Sequence, residues 1–315
     1  MINSDHRIKD IDPESFRQLL SSGQIAIHTG PLLVRVRTQL SDVVRILRIL
    51  YAEHPATINP EFSDFHVEVR LPLNLRRLLR PQVDFLIDGD RPFQPLPRDQ
   101  APALLEWGMN WCIAAGCHQW FSIHAASLER DGQAVILPAP PGSGKSTLCA
   151  ALALRGWRLL SDELTLLDHD SLAAHALARP INLKNASIDL IKKFGPGTHW
   201  SPTVYDTDKG LVTHMMPPEE SVSRMLDTAL PRWIVFPKYV PGAVSELLPK
   251  SKAETFIEIA QNAFNYSTLG ETGFDVVRRL IDRCECYSFT YSRLEDAVMA
   301  FENLAHGPGP TALPE

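Results

Sequence analysis

The stretch from Phe121 to Asp168, FSIHAASLERDGQAVILPAPPGSGKSTLCAALALRGWRLLSDELTLLD, decides how the rest of the chain is read. Two strand-like runs flank Asp131-Gly132, a dipeptide favoured in two-residue type I′ hairpins, so residues 121–130 are predicted to lie antiparallel to residues 133–138. A glycine-rich loop leaves the second strand. STLCAALALRG then reads as a helix with Gly156 as its left-handed stop, and WRLLSDELTLLD returns at once as strand.

The loop runs through Ala139, Pro140, Pro141, Gly142, Ser143, Gly144, Lys145, Ser146 and Thr147. A phosphate-binding loop needs glycines so that the main chain can wrap round phosphate, a lysine as a point charge, and a hydroxyl for Mg²⁺. Gly142, Gly144, Lys145 and Ser146 fill those slots. Ala139 stands where the pattern has its first glycine, which costs only a methyl group if φ stays negative there. The strand before the loop and the helix after it are the context the pattern requires. The hairpin also sets a register: with Arg130 facing Gln133, His124 falls opposite Ala139, beside the mouth of the loop. The next acidic pair is Asp162-Glu163, and a hairpin strand leading into the loop predicts a mixed or antiparallel sheet.

Outward from this segment, residues 1–100 read as a small α/β module. PLLVRVRTQL is strand-like, SDVVRILRILYAEH is helical behind a Ser41 or Asp42 cap, and FHVEVRLPL and VDFLIDGDRPF are strands, the latter closed by a turn at Asp88-Gly89. Proline-rich RPFQPLPRDQAP breaks regular structure before a helix over 101–115, which puts the domain boundary near residue 100 and gives 101–315 to the second domain. Beyond residue 175, ARPINLKNASIDLIKKFGPG predicts a strand or loop and then a helix, and residues 200–210 an exposed loop. PRWIVFPKYV and AVSELLP predict a strand pair, SKAETFIEIAQNAFNY a helix, and CECYSFTYS a strand before LEDAVMAFENLA, with Ser292 and Glu295 as its capping box. The tail HGPGPTALPE is expected to be mobile.

The formal net charge of −6 supplies no basic stripe for nucleic acid, so no nucleic-acid partner is expected. The chain shows neither a membrane-spanning run nor a secretion-signal order at its start, which leads to the expectation of a cytoplasmic protein without a membrane partner, with room for a homo-oligomer. Cys112, Cys117, Cys149, Cys284 and Cys286 form no zinc-knuckle spacing and read as reduced thiols; Cys284 and Cys286 would share one face of a strand.

Residues 123–163, IHAASLERDGQAVILPAPPGSGKSTLCAALALRGWRLLSDE, resemble the core of HPr kinase/phosphorylase, and most closely its HPr kinase-related branch. The resemblance covers about residues 121–168 and implies an α/β, mixed-sheet P-loop kinase fold shared with phosphoenolpyruvate carboxykinases. It implies an ATP- and Mg²⁺-dependent kinase that phosphorylates a hydroxyl, serine above all, in a protein, peptide or small molecule. Lys145 would neutralise the transferring group, Ser146 and Glu163 would hold metal, Asp162 would act as general base, and His124 would orient it. Glu163 stands for a family aspartate. Arg179 lies where the family has an arginine, without its flanking glutamate and glycine. Lys184 is an alternative cation, with a solvated surface charge as the competing reading of both. Trp157 replaces a family histidine and reads as core. The first hundred residues do not match the HPr kinase N-terminal domain, which does not point to HPr as acceptor. A nucleotide-sensing module without transfer is the alternative from another class.

Overall fold

The computed structural model describes residues 6–75 and 79–307, so most of the expected mobile tail lies outside the described residues. The chain starts with β1 (His6–Arg7) and α1 (Pro13–Ser22). Asp12 caps α1 by accepting from the N–H groups of Glu14 and Ser15, and Pro13 takes the first helical position. There follow β2 (Ile25–Thr29), β3 (Leu32–Thr38), α2 (Ser41–Leu50), β4 (Pro55–Ile58), β5 (Phe65–Arg70), β6 (Gln82–Ile87) and β7 (Leu96–Pro97). They form one sheet in the order β1-β4-β2-β3-β5-β6-β7. Only β3 and β5 run parallel in it. The expected Ser41 or Asp42 cap on α2 is not made: Leu40 precedes the helix, and its N–H donates to the Thr38 hydroxyl instead. Asp88 and Gly89 both have positive φ, as the turn requires.

Helix α3 (Ala101–Gly116) buries nearly every side chain of its first three turns, and Gly108 lies directly on the Phe85 ring of β6. The helix therefore belongs to the first sheet. The contacts divide the chain into one compact unit of residues 1–117 and 177–226 and another of 118–176 and 227–315. This differs from a single boundary near residue 100, because α3 closes the first sheet and a later segment returns to it.

The second unit opens with β8 (Trp120–Arg130), β9 (Gln133–Pro138), α4 (Lys145–Ala153), β10 (Arg158–Ser161), β11 (Leu164–Asp168) and β12 (Ala174–His175). The returning segment holds β13 (Ile181–Lys184), α5 (Ala186–Phe194), β14 (Val204–Thr207), β15 (Gly210–Met215) and α6 (Glu219–Ser223). Its strands form a small sheet in the order β13-β15-β14, so residues 200–210 are not the loop expected. β14 is short and exposes Tyr205 and Asp206 together, which leaves no alternation to read.

The chain then completes the second unit with β16 (Leu230–Tyr239), β17 (Glu246–Pro249), α7 (Lys252–Asn262), α8 (Tyr266–Leu269), α9 (Glu271–Arg283), β18 (Glu285–Tyr291) and α10 (Leu294–His306). Its sheet runs β12-β11-β8-β9-β16-β18-β17, with β10 also on β8. β9, β16 and β18 are parallel neighbours, while β8 and β17 run antiparallel to theirs, so the sheet is mixed. The expected pairing of β16 with β17 is not made; β18 lies between them. Ser292 does not cap α10 but donates to the Ala243 carbonyl. All five cysteines are buried free thiols, and Cys284 ends α9 rather than sharing a strand with Cys286. No helix among the described residues is long and apolar enough to cross a membrane.

Candidate active site

The predicted hairpin forms in the predicted register. Arg130 pairs with Gln133 and Ala125 with Pro138, while Asp131 and Gly132 take positive φ (53° and 78°), the type I′ signature. One step beyond the ladder, His124 comes level with Ala139. On its other side His124 pairs with Leu164 of β11, and its ring sits 5.9 Å from that of Phe264.

From Pro138 the chain turns through residues 139–144 into α4. Ala139 is 2% exposed and is not among the positive-φ residues, so an alanine fits the first position of the loop. Ser143 N–H donates to the Pro140 carbonyl at 3.3 Å, making the turn. Gly142 (φ 86°) and Gly144 (φ 91°) carry the left-handed curvature, and a Cβ on Gly142 would meet nothing. A Cβ on Gly144 would instead run into the Tyr291 hydroxyl. Lys145 opens α4 and is 7% exposed; Ser146 and Thr147 are half-buried on the same first turn. The N-cap residue Gly144 has no side chain to cap this helix, whose first N–H groups face the loop, the usual arrangement for an anion.

The run predicted as one strand after Gly156 is broken in two. Ser161 of β10 pairs with Ser127 of β8 and Leu164 of β11 with His124, and Asp162 and Glu163 leave the ladder between them. The Ser161 hydroxyl accepts from Leu164 N–H at 3.1 Å and shapes the break. Asp162 is 5% exposed and Glu163 half-buried.

Cys149 links the loop to this break. It lies one turn after Lys145 on α4, and its thiol donates to the Ser161 carbonyl at 3.9 Å. Burial pushes the thiol far above its ordinary pKa; the Asp162 charge and a hydrogen bond to Asp162 add to that, and Lys145 opposes it. The Cys149–Ser161 contact thus sets the first turn of α4, which Lys145 opens, against the end of β10 next to Asp162. Among the described residues no group of three or more His, Cys, Asp or Glu side chains is placed to hold a metal.

Arg179 is neither a solvated surface charge nor part of this unit. It is buried in the first unit, where Nη2 meets Glu106 Oε2 at 2.7 Å and Nη1 donates to Asn110 Oδ1 at 2.6 Å. Lys184 ends β13 in the same unit, half-buried. Trp157 is core, edge-on to Trp233 and Phe301. Sequence reasoning missed Cys149, Tyr239 and Tyr291. The two tyrosines sit at the ends of β16 and β18 against the loop, and no local signal marks contacts made across the sheet.

No family model and no curated protein matches the chain. Among solved structures, an HPr(Ser) kinase/phosphatase from Coxiella burnetii is similar at 12% identity, covering 58% of this chain and 96% of that one with a TM-score of 0.26. That superposition is too loose to transfer a role to any residue.

Proposed function

We propose that the protein is an ATP- and Mg²⁺-dependent kinase that moves the γ-phosphoryl group to a hydroxyl, most directly a serine, of a protein, peptide or small molecule. The observation that carries this is the contact between the helix that follows the glycine loop and the break that holds Asp162: Cys149, one turn after Lys145 on α4, donates to the carbonyl of Ser161, the residue before Asp162. The cradle suits phosphate on its own geometry: the space beside Gly142 is open and the N-cap of α4 is a glycine with no side chain to occupy the helix N–H groups.

The N–H groups of residues 142–147 and the Lys145 amine would hold the phosphates, with the Ser146 hydroxyl and Glu163 for the metal. MgATP, when bound, supplies the phosphoryl group and spreads its charge. Asp162 would take the proton of the acceptor hydroxyl as that oxygen bonds to the γ-phosphorus and the bond from that phosphorus to the β–γ bridging oxygen breaks, with ADP as the leaving group. His124, whose cross-strand partner Leu164 lies two residues after Asp162, orients that carboxylate. Glu163 carries one more methylene than the aspartate it stands for and reaches further out.

The test is nucleotide binding by calorimetry, together with ATP turnover with and without serine-bearing acceptors. Asp162→Asn is expected to cut transfer by about 10²–10⁴-fold and to leave nucleotide affinity within about threefold. Wild-type turnover in that variant would remove Asp162 as the proton acceptor. Tight ATP binding with no transfer to any acceptor would favour a nucleotide sensor instead.

A further inference from the structure

Because β9, β16 and β18 are parallel neighbours, their carboxyl ends lie side by side, and two of those ends are tyrosines that grip the loop leaving the third. Tyr239 closes β16, and its main-chain N–H donates to the Ser143 carbonyl at 2.8 Å. Tyr291 closes β18, and its hydroxyl donates to the Gly144 carbonyl at 2.9 Å. That carbonyl also accepts the first helical bond of α4, from Leu148 N–H. The Tyr291 ring is 1% exposed and stacked on Phe289 at 5.5 Å, with the two tyrosine rings edge to face at 5.8 Å. Val240 N–H, donating to the Tyr291 carbonyl at 2.9 Å, ties the two strand ends together.

We propose that Tyr291, with the main chain of Tyr239 beside it, is a positioning residue that holds the phosphate loop in its binding shape before a nucleotide arrives; this rests on the reading of the loop as a nucleotide site. A trans peptide unit is planar, with its C=O and N–H pointing opposite ways. Turning the Ser143 and Gly144 carbonyls toward the tyrosines therefore turns the N–H groups of Gly144 and Lys145 away from them, in the consecutive orientation that makes an anion nest. The Lys145 N–H reaches the Ser143 hydroxyl at a long 3.4 Å, a contact an anion would displace. Without the clamp, the two glycines leave these peptide units free to rotate, and the ligand has to order them. Burial raises the Tyr291 pKa, which keeps the hydroxyl a donor.

The experiment uses the full chain with Tyr291→Phe, which keeps the ring and its stacking. Binding is measured with ADP and with tripolyphosphate, which offers the phosphate chain without a base. Both affinities are expected to fall by about five- to tenfold, and amide exchange at Gly144 and Lys145 to speed up in the ligand-free protein. Tyr287→Phe on the same strand, whose hydroxyl donates to Glu285 at 2.6 Å, is expected to change neither. Unchanged affinity in Tyr291→Phe overturns the clamp while leaving the nucleotide reading intact, as does a loss for ADP alone. A wild-type protein that binds neither ADP nor ATP overturns the nucleotide reading and the clamp with it.

Discussion

Each compact unit buries an arginine–glutamate pair that ties distant parts of the chain together, and the second unit also places buried charge near an edge where parallel strand ends converge. In the first, Arg179 of the returning segment meets Glu106 of α3, and Glu106 also accepts from the Tyr51 hydroxyl of the turn after α2 at 2.8 Å. In the second, Arg158 of β10 meets Glu129 of β8; Glu129 accepts from Gly132 N–H in the hairpin turn at 2.6 Å, and Arg158 reaches the Asp227 carbonyl. These pairs are closed within their own frameworks. Lys145 and Asp162 differ in position: Lys145 follows the loop that leaves β9, and Asp162 lies in the break between β10 and β11, across β8 from the end of β9. The first sheet has one parallel pair, so its strand ends alternate in direction, whereas three parallel strands in a row bring their carboxyl ends to one edge. Open sheets with parallel strands bind ligands at such edges.

The largest effects are expected at the two ion pairs. Glu129→Ala and Glu106→Ala each strand a buried guanidinium and are expected to cost about 3–5 kcal/mol in urea unfolding. A cost under about 1 kcal/mol for either would mean that its pair does not staple its unit. A pH titration should separate the units next. Burial lowers His54 of the first unit from its ordinary value to about 4, although its Nε2–H donates to the Ala178 carbonyl at 2.8 Å, which works the other way. A neutral histidine favoured by the fold contributes stability in full above pH 6.5, and loses it progressively as pH falls from there through about 4, because the unfolded chain binds the proton first. That contribution is roughly 3 kcal/mol. Urea midpoints of wild type and His54→Gln across pH 4–7 should converge at the acid end; parallel curves would place the acid sensitivity elsewhere. The smallest effect sharpens the loop itself. Gly142→Ala carries only left-handed strain of about 1–2 kcal/mol, since its Cβ would enter open space, and it should melt later than Gly144→Ala, where strain and collision with Tyr291 add.

Much of the edge around the glycine loop was legible in the sequence because it is local. Asp131-Gly132 admits a two-residue turn, that turn sets the register of β8 on β9, and the register carries His124 to the level of Ala139. Helix α4 and its stop at Gly156 followed from the same kind of short-range signal. The break at Asp162-Glu163 was not legible: LLSDELTLL alternates poorly, and what interrupts it is a shift of pairing against β8. Arg179 misled for the opposite reason, since a charged residue just before a proline looks exposed until Glu106 and Asn110, some seventy residues away, are brought to it. The Ser292 cap failed because Ala243 competes for the hydroxyl.

By itself the sequence determined the hairpin, the glycine loop and the helix behind it, all set by backbone preferences within a few residues of each other. Only the tertiary structure decided that β16 and β18 lie beside β9, that the unit changes at residue 117, and that Tyr291 closes on Gly144 from 147 positions away. Parallel strands pair through long crossovers, so their neighbours are chosen by how the whole core packs and leave no mark in local periodicity.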